Sequence, residues 1–412
     1  MNKNDFYITF YQVSGDTMIV SNGFSFGREN QSNYTDIFID RNSSPKTVSA
    51  QMEIVSSEAD RIFASISISD DLEIIRPYID HRWIIGGNVY STQKNTSLAQ
   101  TGDVENTQFT VTSLPLEQLL GGPETPYSSI FSSYFEELFK QSSCKNLLYN
   151  CTIGQGCYWG KCEFCGFRVS NCKRYIRKNS IDILSSLLPN TNGGTSEVHL
   201  GIPSIYPSML RDVLSVSWPE TLFPVIFIRA DLGIINVLES FNNEQQICRN
   251  KKFCLGMEIL SDTALAVLKK GVTVDSILNT IKLLLSHGAL VELEIMDDYP
   301  FLNEEIVSEV QHNCRRLQEI YSSYKGPSNY IWIYNNGPVC WPSEAIARSF
   351  SQSCEVIPPM HEFFGEGEST PSCLPLYRCV ISEDSLQQDY NARIREAIEG
   401  IGITLMDRDR YK

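Results

Sequence analysis

No run in the chain approaches the roughly 18 apolar residues that a bilayer-spanning helix needs, so no membrane segment is expected. The opening Met1-Asn2-Lys3-Asn4-Asp5-Phe6 has no apolar stretch of the kind that heads a secretion signal, and the reading it supports is cytoplasmic. Positive charge is also short. Lys plus Arg number 34 against 49 Asp plus Glu, a net charge of −15, which repels phosphate backbones and anionic lipid. Neither a nucleic-acid nor a membrane partner is expected. A Walker A loop, a Gly-x-Gly-x-x-Gly turn and a Ser–His–Asp order are all missing, which removes the footholds for an ATPase, a Rossmann dehydrogenase and a serine hydrolase. Disorder is excluded too: 42% of the 412 residues are hydrophobic and 20% charged, ample for two cores.

Cysteine, by contrast, is plentiful. Thirteen thiols in a reducing compartment are seldom structural disulfides, and an odd number cannot all pair. Their spacing therefore carries the information.

The chain changes character near residue 140. Before it, short β-rich runs (Phe6–Val13, Met18–Val20, Ile37–Ile39) alternate with Gly, Asn and Ser clusters. Arg61–Ile68 and Trp83–Ile85 read as strands flanking Leu72, Ile75 and Ile79 at helical spacing, a small α/β unit that ends in Gly86-Gly87. Residues 91–108 read as a loop, Gly121-Gly122-Pro123 with Pro126 as a linker, and Tyr127–Phe139 as a short aromatic helix. From about 145 the pattern is regular. Strands are expected at Asn146–Thr152, Glu197–Ile202, Phe223–Ala230, Phe253–Ile259, Leu290–Met296 and Tyr330–Tyr334. Helices are expected at Tyr175–Leu188, Ser208–Val216, Gly233–Phe241, Asp262–Lys270, Val274–His287 and Glu304–Tyr321, with a last one near Tyr390–Ile398. Short apolar strands joined by helices predict an α/β fold with a parallel sheet buried on both faces, a (β/α)6 partial barrel or a doubly wound sheet, with chemistry at the carboxyl ends of its strands. The expected organisation is a small α/β domain over 1–125, the repeating unit over 145–345 and a C-terminal extension over 346–412.

The sharpest local feature follows the first of those strands: Gly156-Cys157-Tyr158-Trp159-Gly160-Lys161-Cys162-Glu163-Phe164-Cys165-Gly166-Phe167. Three soft thiolates on one glycine-bearing loop suit an Fe–S cluster, zinc or Cu(I). Zinc needs a closed four-ligand set, and no second Cys-x-x-Cys or His-x-x-x-His pair exists, although Cys144, Cys151 or Cys172 offers a fourth ligand. A triplet with an open position suits a cluster whose fourth iron binds a substrate. A non-catalytic zinc or Fe–S scaffold stays open at this point.

A three-cysteine loop behind the first strand of a (β/α)6 unit resembles the radical S-adenosylmethionine (SAM) enzymes, which implies a partial TIM barrel. Their usual spacing is Cys-x3-Cys-x2-Cys, and this chain has one residue more in the first interval, around Gly160-Lys161. The Gly156–Gly160 opening is similar to that of the branch with a cobalamin-binding-like N-terminal domain, several of whose members modify ribosomally made peptides. Phe227–Asp231, Gly256–Asp262, Leu268–Thr273 and Ile277–Pro300 resemble later segments of the same branch. The resemblance implies that Cys157, Cys162 and Cys165 hold three irons of a [4Fe–4S] cluster whose open iron takes SAM. It implies that Phe164 lies beside the adenine, and that Arg229 and Glu258 bind the SAM carboxylate and its amino or ribose groups. A structural Arg–Glu pair locking two strands is the rival reading of those two. It further implies reductive cleavage to a 5′-deoxyadenosyl radical, an electron donor such as flavodoxin or ferredoxin, and a peptide or small-molecule substrate.

Two departures stand out. The Gly-Gly-Glu that this family often carries after strand two is here Gly201-Ile202-Pro203-Ser204. The N-terminal unit lacks Asp-x-His-x-x-Gly and has only His81 in Asp80-His81-Arg82, so cobalamin is not expected, and a remnant domain that shapes the substrate pocket is. A cobalamin-dependent methylase is the alternative. Cys340, Cys354, Cys373 and Cys379 contain no Cys-x-x-Cys nucleus and read as buried free thiols. Asp297-Asp298, at the end of strand five, offers an amine site or proton acceptor, or simply a solvated turn. His199 reads as a core histidine.

Overall fold

The computed structural model describes residues 5–20, 34–65, 71, 74–86, 100–104, 107–111, 133–151, 153–165, 175–176, 184, 193–241, 246–326, 330–351, 353–357, 376–381 and 385–407. Its strands form one continuous 14-stranded sheet, with two separate two-stranded pairs. A hairpin joins the two parts of that sheet. Asp5–Ser14 and Thr17–Val20 pair antiparallel about Gly15, whose φ of 58° is the left-handed backbone such a turn needs. The first arm runs parallel to Tyr34–Asp40 and Arg61–Ser65 in the N-terminal unit, and the second runs parallel to Asn146–Cys151.

Beyond that strand the sheet is parallel throughout: Asn146–Cys151, Ser196–Leu200, Leu222–Ile228, Lys252–Glu258, Leu290–Asp297, Tyr330–Pro338, then Leu405–Asp407. The last strand does not return to the first, so the barrel is partial, as expected. Helices Pro207–Ser215, Leu232–Ser240, Asp262–Val267, Val274–Ser286 and Glu304–Tyr324 connect the strands. Four of them start on side-chain caps that satisfy otherwise orphaned amides: Asp231, Ser261, Thr273 and Asn303. Apart from Leu405–Asp407, which the sequence reading did not include, each of these elements lies within a few residues of its sequence expectation.

The Arg61 strand is described to Ser65, and around the helical spacing of Leu72, Ile75 and Ile79 the described Asp71, Ile74 and Ile75 are helical, followed by a 3-10 turn at Arg76–Tyr78. Several other expectations are corrected. Pro45–Glu58 forms a helix that sequence reading passed over, although Val48, Met52 and Val55 mark its buried face. Residues within the expected 91–108 loop belong to the hairpin Gln100–Val104/Thr107–Val111. The aromatic helix is described as Ser133–Gln141. Tyr175–Ile176, placed in a helix by periodicity, pairs instead with Gly154–Gln155. The rest of the expected Tyr175–Leu188 helix, the 121–126 linker, Gly87, Gly166, Phe167, Cys172 and Cys373 fall outside the described residues, apart from Leu184.

The sheet is not apolar on both faces. Alternate residues of the barrel strands face the helices and are buried, including Val198, Phe253, Leu255, Val291, Leu293 and Ile333. Their neighbours on the other face are polar. Lys252 Nζ stands 3.6 Å from Glu197 and 3.0 Å from Glu292, His199 Nε2 is 3.0 Å from Glu197, and Trp332 Nε1 donates to Glu292 at 2.9 Å. His199 is thus a hydrogen-bond partner of Glu197 on the half-buried face rather than part of the apolar core. Two cores result. Phe6, Ile8, Phe10, Ile39, Met52 and Trp83 pack the N-terminal unit, while Met18 and Val20 of the hairpin join the barrel core.

Candidate functional site

The cysteine loop leaves the carboxyl end of Asn146–Cys151 through Gly156 and turns again at Gly160, with φ values of 76° and 61°. Only glycine adopts such angles at little cost, and the two turns place Cys162 inside the protein with Cys157 and Cys165 partly exposed. None of the three forms a disulfide, and neither do Cys340 or, in the C-terminal extension, Cys354 and Cys379. Among the described residues no three His, Cys, Asp or Glu side chains gather closely enough to ligate one metal ion.

A second turn holds the loop. It follows the short helix Asp262–Val267 and spans Leu268–Gly271. Glu163 N donates to the Leu268 carbonyl at 2.9 Å, and Trp159 Nε1 to that of Lys269 at 3.0 Å. Lys269 Nζ pairs with Glu163 at 2.5 Å. Gly271 has φ 72°, and a Cβ there would sit 2.0 Å from the Trp159 ring, so the indole occupies the space that glycine leaves.

Arg229 joins the two turns. It follows the third barrel strand and is 4% exposed. One guanidinium nitrogen donates to the Lys270 carbonyl, Nη1 lies 3.7 Å from Cys162 Sγ, and the charge stands 5.0 Å over the Trp159 ring. Nε is 3.7 Å from Asp231 Oδ2 and makes no hydrogen bond among the described residues. Asp231 also caps the helix Leu232–Ser240 and accepts from the Tyr158 hydroxyl. Burial, then that carboxylate, keeps Tyr158 protonated far above its ordinary range.

Glu258 ends the fourth strand where the sheet register shifts, and it takes a left-handed φ of 59°. Such backbone strain in a non-glycine residue is concentrated at working sites. Its Oε1 accepts from Lys270 Nζ. Gly256 lies against this pair, and a Cβ would come within 2.7 Å of Glu258 Oε1 and 2.8 Å of Lys270 Nζ. Burial works against the Lys270 charge, but Glu258 and then Cys162 outweigh it and raise its pKa. Lys270 Nζ also stands 5.6 Å over the Phe164 ring. Burial pushes the Cys162 thiol up, while Lys270 and Arg229 pull it back toward thiolate.

The structure therefore gathers Cys162, Phe164, Arg229 and Glu258 around one residue, Lys270, which sequence reading did not single out. Its only trace was the Leu268–Thr273 segment, noticed by resemblance. Trp159 and Asp231 were quoted within motifs without a role. The residues fit the implied groups: thiols for iron, two buried cations beside the Cys162 sulfur, and a buried Arg229 Nε with no hydrogen-bond partner among the described residues.

No family model matches the chain, and no curated protein matches its sequence. Solved structures do. The cobalamin-dependent SAM radical enzyme OxsB, with aqua-cobalamin and SAM bound, aligns at a TM-score of 0.56 and 10% identity over 94% of this chain and 66% of that one. The radical SAM methyltransferase TsrM from Kitasatospora setae, with cobalamin and a [4Fe–4S] cluster, aligns at 0.53 and 10% over 97% and 91%. The same protein with tryptophan substrate and aza-SAM gives 0.55 and 9% over 96% and 89%. The chain spans 52% to 66% of the length of the first two OxsB chains. Both proteins hold cobalamin, so the expectation that this chain does without it gains no support. Over nearly its whole length, the chain has the fold of cobalamin-dependent radical SAM enzymes.

Proposed function

We propose that this protein is a radical SAM enzyme acting in peptide or natural-product maturation. One observation carries the reading: three thiols on a loop at the carboxyl end of the first barrel strand, braced by the buried cations Arg229 and Lys270. Cys157, Cys162 and Cys165 would hold a [4Fe–4S] cluster with SAM beside it, and with an electron from a donor such as flavodoxin or ferredoxin the pair would supply reductive cleavage of SAM to methionine and a 5′-deoxyadenosyl radical for hydrogen abstraction. Phe164 packs beside the adenine. Arg229 spends its Nη groups on Cys162 and the Lys270 carbonyl, which leaves Nε for the SAM carboxylate. Glu258 is held by Lys270 through Oε1 and offers Oε2 to the amino or ribose groups.

The experiment is anaerobic. The full chain is reconstituted with iron and sulfide, given SAM and a strong reductant, and assayed for 5′-deoxyadenosine by mass spectrometry. The Cys157→Ala/Cys162→Ala/Cys165→Ala protein is the control. Product above control supports the reading, and a loop that holds zinc and refuses iron ends it.

A cobalamin-dependent reaction is the second reading, favoured by a likeness to TsrM that covers the N-terminal unit as well as the barrel. It requires that protein loaded with hydroxocobalamin keep a visible corrinoid absorbance through gel filtration.

A further inference from the structure

Away from the cysteine loop, a cavity of about 460 Å³ opens where the fifth barrel strand meets the C-terminal extension. That volume lies within the range of small-molecule sites. Its floor is Asp297 and Asp298 at the end of Leu290–Asp297. Its walls come from the hairpin Cys354–Ile357/Leu376–Cys379, which gives Glu355 and Arg378, and from the helix Ser385–Glu399, which gives Asn391 and Arg395. The C-terminal helix is pinned at this rim. Asn391 bonds both the amide and the carbonyl of Tyr299, at 3.0 and 3.1 Å, and the Tyr299 hydroxyl donates to the Glu258 carbonyl at 2.9 Å. The cavity floor is therefore mechanically tied to the proposed SAM-binding residue.

The lining is unusual in carrying both signs. Asp297 Oδ2 accepts from Asn335 at 2.8 Å, but its Oδ1 is cut off from solvent with no hydrogen-bond partner among the described residues. That oxygen is closed off from the cavity as well, so the cost of leaving it unpaired falls on the fold. Asp298 adopts a left-handed φ of 54°, which aspartate takes more readily than most non-glycine residues. Burial and then the neighbouring Asp297 raise its pKa, against the pull of Arg378 and Arg395. Arg378 pairs with Glu355 on the rim, and a guanidinium has five donors, enough to share with a second carboxylate.

We propose that this cavity binds the zwitterionic head group of the substrate, an α-amino acid, with its ammonium on Asp297 and Asp298 and its carboxylate on Arg378 and Arg395. Two adjacent, partly exposed carboxylates on one cavity floor attract a cationic donor. Two guanidiniums across the same space provide the bidentate recognition that a carboxylate takes. The inference deepens the proposed function by naming a substrate class, and it rests on that reading only for what happens after binding.

The test is calorimetric titration of the reconstituted full chain with the standard α-amino acids, one at a time, without reductant. At least one is expected to bind, and its N-acetyl and carboxamide derivatives are each expected to bind roughly tenfold more weakly or worse, the cost of one buried charge left unpaired. Asp298→Asn, which suits a left-handed backbone, and Arg378→Gln, at a side chain 38% exposed, should each lose affinity similarly while keeping the wild-type melting temperature. Absence of binding by every amino acid overturns the proposal, as does equal binding of the blocked derivatives or equal binding by both variants. The outcome is separable from the radical SAM reading. Deoxyadenosine formed without amino-acid binding sinks this inference alone, and binding without SAM cleavage leaves the cavity assigned while the reaction falls.

Discussion

Glu258 and Lys270 form an ion pair in which each side chain is 7% exposed, twelve positions apart in sequence and closed over Gly256. In that setting the pair is an all-or-nothing arrangement. Removing one partner strands the other charge in a medium that cannot solvate it.

The first prediction follows from that geometry. Lys270→Met should destabilise the chain by about 3–5 kcal/mol, the cost of a broken buried pair, while Lys270→Met with Glu258→Leu should recover much of the loss. Urea midpoints of the three proteins check it. A double variant no more stable than the single one would contradict the account.

Gly271 offers a sharper steric test. Alanine there meets the left-handed backbone, about 1–2 kcal/mol, and the Trp159 ring, an overpacking cost of about 1–3 kcal/mol. Gly271→Ala should therefore lower the melting temperature clearly. Adding Trp159→Ala should return only the second part, because the φ of 72° remains.

Arg229 is expected to tune the cluster as well as brace it. A positive charge 3.7 Å from Cys162 Sγ favours the more negative, reduced state, since charge and hydrogen bonds at the sulfur set the potential. Arg229→Gln should lower the reduction potential of the reconstituted cluster. Potentiometric titration followed by electron paramagnetic resonance reads this without turnover. An unchanged potential would leave Arg229 as a strand brace only.

The barrel's polar face predicts a pH effect. Burial disfavours the Glu197 carboxylate, yet the hydrogen bond to His199 and the Lys252 charge prevail and hold its pKa at about 2. Unfolded glutamate titrates near pH 4.3. As pH falls, the unfolded chain takes up this proton first, so stability present above about pH 4.3 is lost on the way down to about pH 2. Glu197→Gln should be less stable at neutral pH and lose less between about pH 5 and 3 than the wild type, as seen in urea midpoints across that range.

How far the sequence carries can be judged from particular residues. Three cysteines within 157–165, behind an apolar strand, announce the site because thiol spacing on one loop is local information. The barrel strands and most of their helices were equally legible, since periodicity and caps such as Ser261 and Thr273 act within a few residues. Pro45–Glu58 was missed because only three of its positions face a core, and 100–111 because its residues look polar while pairing across a turn.

What local pattern could not supply is partnership. Lys270 looks like one lysine of a turn. Only the packing of the Leu268–Gly271 turn against the cysteine loop brings it to Glu258 and Phe164, and Arg229 to Cys162. Nor do Asp298 and Arg378 share any sequence neighbourhood, yet the C-terminal hairpin folds back to set them around one cavity. Chain composition and spacing determined which chemistry is available. Tertiary structure decided which charges are buried together, because long-range contacts place groups tens of residues apart in one low-dielectric space, where each must find a partner or a ligand.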